Sequence, residues 1–305
     1  MSLRVYRKNK QDLFVNVLKL LEKYSLTDFP VGVGGCQNQG TSYDCCEYDI
    51  SVFDEKKEPD TIVEFENNLV AIHHCSLSET HSNVLVQLSG LKIINDEKWE
   101  LRMTLSRIEE KKDQIYKDYM KNCLIDSLFC ITKSKEGLKT SDPFASCWIK
   151  CAAFYLADAI LLHHLIRPSP AHFLQAIRTL ENNKISDKFS IVNECIGIER
   201  ATPVLLERMC KSTVGFSDMI EGNDHSKIIQ TKNDYFLKNS LLADCYFYLG
   251  YINRNNIIKI KDTLLKKPEL IHILKVGFDI ENDPSVIEKQ ATMLYEATDD
   301  ILSIS

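Results

Sequence analysis

An α+β fold is the class this sequence predicts: a small mixed β-sheet flanked by helices, followed by an all-helical domain. Two observations carry that prediction. Between residues 29 and 105, short apolar stretches alternate with polar residues and are separated by turn signals, the period-two pattern of half-buried strands. After Ser106 nearly every segment repeats its apolar residues at helical spacing. There Pro143, Pro168, Pro170, Pro203, Pro268 and Pro284 fall at or near segment ends, where proline belongs in helical chains.

Taken in order, Leu13, Phe14, Val17, Leu18, Leu21 and Tyr24 share one helical face and predict a helix over 11–24. Phe29 to Gly35 is a short strand running into a glycine turn, and Glu47 to Phe53 is a second strand. Thr61 to Glu66 and Leu69 to Cys75 form a hairpin across Asn67-Asn68. Ser76 and Glu79 have the spacing of a capping box, which predicts a helix over 79–88 that stops near Gly90. Leu91 to Ile94 and Trp99 to Leu105 complete the strands across the polar turn Asn95 to Lys98. Helices then follow at about 107–132, 143–166, 170–182, 200–212, 232–253, 257–276 and 284–303, so the chain reads as two domains, 1–110 and 111–305.

With 305 residues, 44% hydrophobic and 26% charged, the chain can bury a sizeable core. Its net charge of −6 argues against a protein whose main role is gripping long nucleic acid through its phosphates, although a local basic groove is compatible with that sum. Eleven cysteines without a CxxC spacing, in a chain with no secretory leader, read as reduced thiols in a cytoplasm, most of them small core hydrophobes. The longest apolar run, Cys151 to Ile166, is short for a bilayer and contains Asp158, His163 and His164, so no membrane segment is expected.

The chemistry concentrates in Val33 to Ile50, VGGCQNQGTSYDCCEYDI. Gly34 and Gly35 end the first strand and permit a tight turn with close backbone approach. After eleven intervening residues come Glu47 and Asp49, which project from one face of an extended strand while Tyr48 and Ile50 point the other way. Two carboxylates so placed repel each other unless a cation lies between them, and magnesium with oxygen ligands is the usual occupant.

This arrangement, a hydrophobic residue and two glycines followed by acid-hydrophobic-acid-hydrophobic, resembles the signature of the nucleotidyltransferase superfamily with the DNA polymerase β-like fold. The signature covers under a tenth of the chain. It departs from the commonest form in having Gly-Gly followed by Cys36, and Glu where the first acid is usually Asp. The resemblance implies transfer of a nucleoside monophosphate from a nucleoside triphosphate to an acceptor hydroxyl or phosphate, with pyrophosphate leaving. It implies two magnesium ions, held by Glu47, Asp49 and a third carboxylate on a later strand. Glu100, between Trp99 and Leu101, is the candidate for that third acid and Asp96 is the alternative. Gly34, Gly35 and Ser42 or Thr41 would meet the phosphates, and Lys150 would add a point charge. The acidic balance favours a small-molecule acceptor over nucleic acid. The helical half loosely resembles the C-terminal regions of small-molecule nucleotidyltransferases.

Other residues carry blander readings. Glu64 and Glu66 suit the solvent face of a hairpin, and Asp44 suits a turn. His73 and His74 on a strand point to opposite faces and cannot chelate one metal together. Arg167 and His172 match the R-x4-H spacing of HEPN ribonucleases, but two prolines interrupt the helix that motif needs. No Walker loop, dinucleotide fingerprint or serine-hydrolase elbow is present. Alongside the enzyme stands a second reading, a catalytically silent module that keeps the fold for nucleotide binding or an antitoxin-type interaction. An RNA-terminal polymerase, with strongly salt-dependent affinity, is a third.

Overall fold

The computed structural model describes residues 17–39, 42–56, 58–222, 224–280 and 283–304, and the chain divides into two compact units, Met1–Ile115 and Tyr116–Ser305. The first is α/β and the second all helical, an α+β fold.

In the first unit, helix α1 (residues 17–23) precedes strand β1 (Val31–Val33), the short helix α2 (Gly35–Gln39) and strand β2 (Tyr48–Val52). Leu13 and Phe14 of the predicted helix lie outside the described residues. Strands β3 (Thr61–Phe65) and β4 (Asn68–His74) form the hairpin. Their turn sits one residue earlier than the sequence suggests, because Glu66 (φ 48) and Asn67 (φ 64) both take the left-handed conformation that a two-residue hairpin turn requires. Helix α3 (Ser82–Leu88) and strand β5 (Lys92–Asn95) follow. The sheet order is β3-β4-β2-β1-β5, with β2 and β4 parallel and every other pair antiparallel.

One face of the sheet is a core. Val31, Val33, Ile50, Val52, Val70 and Ile72 bury against Val17, Leu20, Leu21 and Leu26, the apolar stripe of α1 and the turn after it. The alternation in β1, β2 and β4 that fills this core turns Gly32, Asp49, Ser51, Ala71 and His73 to the opposite face.

Two local predictions fail for identifiable reasons. Trp99 to Leu105 is not a strand but the start of helix α4 (Glu100–Glu110). Leu101 and Ile108, seven residues apart, are its buried pair, and Asp96 caps it by accepting from Leu101 N (3.2 Å) and Arg102 N (2.8 Å). Ser76 is no capping box residue, since its hydroxyl binds Glu55 (2.6 Å) and α3 begins later, after His81.

The second unit contains most of α5 (Lys112–Thr140), with α6 (Ala145–His163), α7 (Phe173–Arg178), α8 (Phe189–Ile196), α9 (Pro203–Glu221), α10 (Asp224–Lys238), α11 (Leu242–Lys259), α12 (Leu270–Gly277) and α13 (Pro284–Ile304). Pro203 and Pro284 open their helices, and Thr202 caps α9 by accepting from Leu205 N. Helix α6 is long and apolar enough to cross a bilayer, yet it is buried in the unit with Lys150 and Asp158 along its length. Gly250 of α11 lets Phe154 of α6 approach closely: an added Cβ would meet the ring at 2.7 Å.

Candidate active site

Strand β1 delivers the diglycine to β2. The Gly34 N–H donates to the Asp49 carbonyl (2.9 Å), so the amide expected to reach a phosphate is committed to the sheet. Both Gly32 and Gly34 lie under Leu91, where a Cβ on Gly34 would meet the leucine at 2.9 Å. Gly35 has φ +68, and a Cβ on it would stand 1.8 Å from Asp49 Oδ2. The diglycine and Asp49 are therefore one packed device: the Asp49 carboxylate rests where any side chain at position 35 would be. Helix α2 is tied in place by Gln37, which donates to the Cys46 carbonyl (3.0 Å), and Asn38, which donates to the Gly90 carbonyl (2.8 Å).

Glu47 stands one residue before β2 and Asp49 is its second residue, both half-buried. Ser42 is exposed, while Gly40 and Thr41 lie outside the described residues. Asp44 sits in the turn closed by the Cys46 N–H and the Tyr43 carbonyl (3.0 Å).

The third carboxylate is not where the sequence placed it. Asn95 pairs with Val31, which also pairs with Val52, so β5 runs away from Asp49 and delivers Asp96 and Glu100 beyond the opposite end of the sheet. Two strand spacings give about 10 Å sideways and three residues add about 10 Å along the strand, too far to share an ion with Asp49. The Asp96 oxygens are, besides, engaged as the α4 cap, and Glu100 is exposed in the first turn of that helix.

The strand beside β2 is β4, and it presents His73. Its Nε2 lies 3.5 Å from Asp49 Oδ1 and its Nδ1 lies 2.9 Å from Asp60 Oδ2. Burial works against a charge on this ring, but the hydrogen bonds and charges of Asp49 and Asp60 outweigh it and raise the ring to about 10. His74, one residue on, points to the other face and pairs with Asp54 (2.8 Å), as the alternation requires. Glu64 is on the site face of β3, level with Leu69, and is exposed. Sequence reasoning weighed the histidines only as metal chelators. The readable signal was that Asp60 and His73 occupy facing positions of one hairpin.

The carboxylate oxygens of Glu47 and Asp49 are hard donors suited to a divalent ion. The donor set for a second ion, anchored by Glu100 or Asp96, does not fit, since neither acid reaches this face.

Lys150 is also placed elsewhere, in the interior of the helical unit. Its ammonium donates to the Ile196 carbonyl (2.8 Å), the Asp279 carbonyl (2.6 Å) and the Tyr246 hydroxyl (3.1 Å). Its task is to tie α6, the end of α8, α11 and the segment after α12 together. Burial depresses it from 10.5 to about 7 against the opposing pull of Asp279. Between those values the unfolded chain binds the extra proton, so this residue makes stability rise with pH from about 7 toward 10.5. Chemical unfolding of wild type and Lys150→Met over pH 7 to 10 should diverge in that direction, and superimposable profiles would contradict it.

All eleven cysteines are thiols; Cys45 and Cys46 are buried and Cys36 is half-buried. Burial raises the Cys75 thiol to about 11, against the lowering effect of its hydrogen bond with Ser51, so it stays protonated at neutral pH.

No protein-family model matches the chain, and no curated protein does. Among solved structures the chain is similar to a nucleotidyltransferase-like protein from Exiguobacterium sibiricum 255-15, at 11% identity and a TM-score of 0.36, over 86% of this chain and 90% of that one.

Proposed function

We propose that the α/β unit is a magnesium-dependent nucleotidyltransferase that moves a nucleoside monophosphate from a nucleoside triphosphate to the hydroxyl or phosphate of a small acceptor. The observation that carries this reading is the packing of the Asp49 carboxylate onto Gly35, which joins the glycine turn to the acid pair as one built feature. Glu47 and Asp49 are the residues that would hold the ion, which when bound neutralises charge on the triphosphate and on the leaving pyrophosphate. The net charge of −6 favours a small acceptor.

Incubation with each α-labelled triphosphate, magnesium and a cell extract should yield a labelled product that disappears with Glu47→Ala. A second reading is favoured by one observation, the placement of Glu100 and Asp96 away from Asp49. In it the unit binds a nucleotide without turnover, serving as a silent interaction module. Nucleotide binding that survives with no labelled product under any triphosphate would select this alternative.

A further inference from the structure

We infer that this site takes one divalent ion, on Glu47 and Asp49, and that the imidazole of His73 fills the place where a second ion would be held against Asp49. The inference rests on the reading of the acid pair given above and deepens it.

The argument begins with register. β4 lies parallel to β2, with Ala71 level with Asp49 and His73 level with Ser51. Thr61 pairs with Ile72, so Asp60, one residue before β3, is level with His73 on its other side. The ring therefore bridges from Asp60 to Asp49, at 2.9 Å and 3.5 Å. Both ring nitrogens thus face carboxylate oxygens, and the ring fills the space between the two acids.

Two-ion sites hold their metals about 3.5 to 4 Å apart and share a carboxylate between them. Asp49 is the acid that would be shared, but the oxygen it turns toward β4, Oδ1, faces the ring, which leaves Oδ2 to the single ion. A magnesium ion between Asp49 and Asp60 needs near-octahedral oxygens at about 2.0 to 2.1 Å, and the imidazole stands in that space.

The test is the number of ions bound by the full-length chain. Manganese is titrated into an equimolar mixture of the chain and a non-hydrolysable triphosphate analogue, with the free ion followed by its paramagnetic resonance signal. Wild type should hold one ion per complex that the analogue alone does not account for, and His73→Asp should hold two. Two ions in the wild type, or one in a folded His73→Asp, would overturn the inference while leaving the acid-pair reading intact. No protein-dependent ion in the wild type would remove that reading, and the inference with it. Should His73→Asp fail to fold, His73→Asn decides by the same titration: a second ion per complex is expected once the ring is gone, and a single ion in that folded variant refutes the assignment.

Discussion

Asp158→Ala is expected to destabilise the helical unit by about 3 to 5 kcal/mol, the usual cost of breaking a buried ion pair from one side. Asp158 is fully buried on α6, where it accepts from the Tyr251 hydroxyl at 2.8 and 3.0 Å and from Arg254 Nη2 at 2.9 Å. The guanidinium is held between the rings of Tyr155 and Tyr251, 4.6 and 4.2 Å from their centroids. Cation–π contacts of that kind contribute about 2 kcal/mol when desolvated. They cannot replace the carboxylate, because Arg254 is itself buried and its charge would lose the acid it is hydrogen-bonded to. Denaturant unfolding of the full chain, followed by helical signal, measures the loss. The double change Asp158→Leu with Arg254→Met removes both charges and should recover most of it. A loss under about 1 kcal/mol for Asp158→Ala would show that water reaches the pair.

Gly35→Ala is the second large effect, and it reaches the site as well as the fold. The backbone at φ +68 costs an alanine about 1 to 2 kcal/mol relative to glycine. The larger penalty is steric, since the new methyl would stand 1.8 Å from Asp49 Oδ2 and one of the two groups must leave. The obstacle is a carboxylate on a central strand, whose backbone is fixed by pairing with β1 and β4. The expected outcome is a stability loss of about 2 to 4 kcal/mol and at least a tenfold loss of manganese and triphosphate binding. Gly90→Ala is the control, because it shares a positive φ (+79) but meets nothing within 4 Å. If the two variants bind alike, the contact between Gly35 and Asp49 is not what holds the carboxylate in place.

Much of the α/β unit was legible because its information is local. Alternation in Val31 to Val33, Tyr48 to Val52 and Thr61 to His74 marks the strands, and the same alternation turns Asp49 away from the core that Ile50 enters. What was not legible depends on which strand lies beside which. By linear order Glu100 is an apolar-flanked acid downstream of the pair, whereas the parallel pairing of β2 with β4 sets β4 beside Asp49, and it carries histidine. Parallel neighbours come from tertiary packing and leave no short-range mark. Trp99, Leu101, Met103 and Leu105 fit a strand by period, and only the buried pair Leu101 and Ile108 with the Asp96 cap tells a helix. Lys150 misled for a related reason: a lysine near the start of an apolar helix reads as a surface charge until other helices close over it.

The paired histidines of β4 have a consequence for how the sheet assembles. Sliding β4 by one residue against β2 would drive the His73 ring into the aliphatic layer formed by Ile50 and Val52, and would turn Val70 and Ile72 away from it. Such a misfolded alignment would also separate His73 from Asp49 and His74 from Asp54, uncoupling two polar clasps at once. Adjacent histidines with acids waiting on opposite sides thus act as a proofreading key for strand alignment, whatever ligand the finished surface goes on to hold.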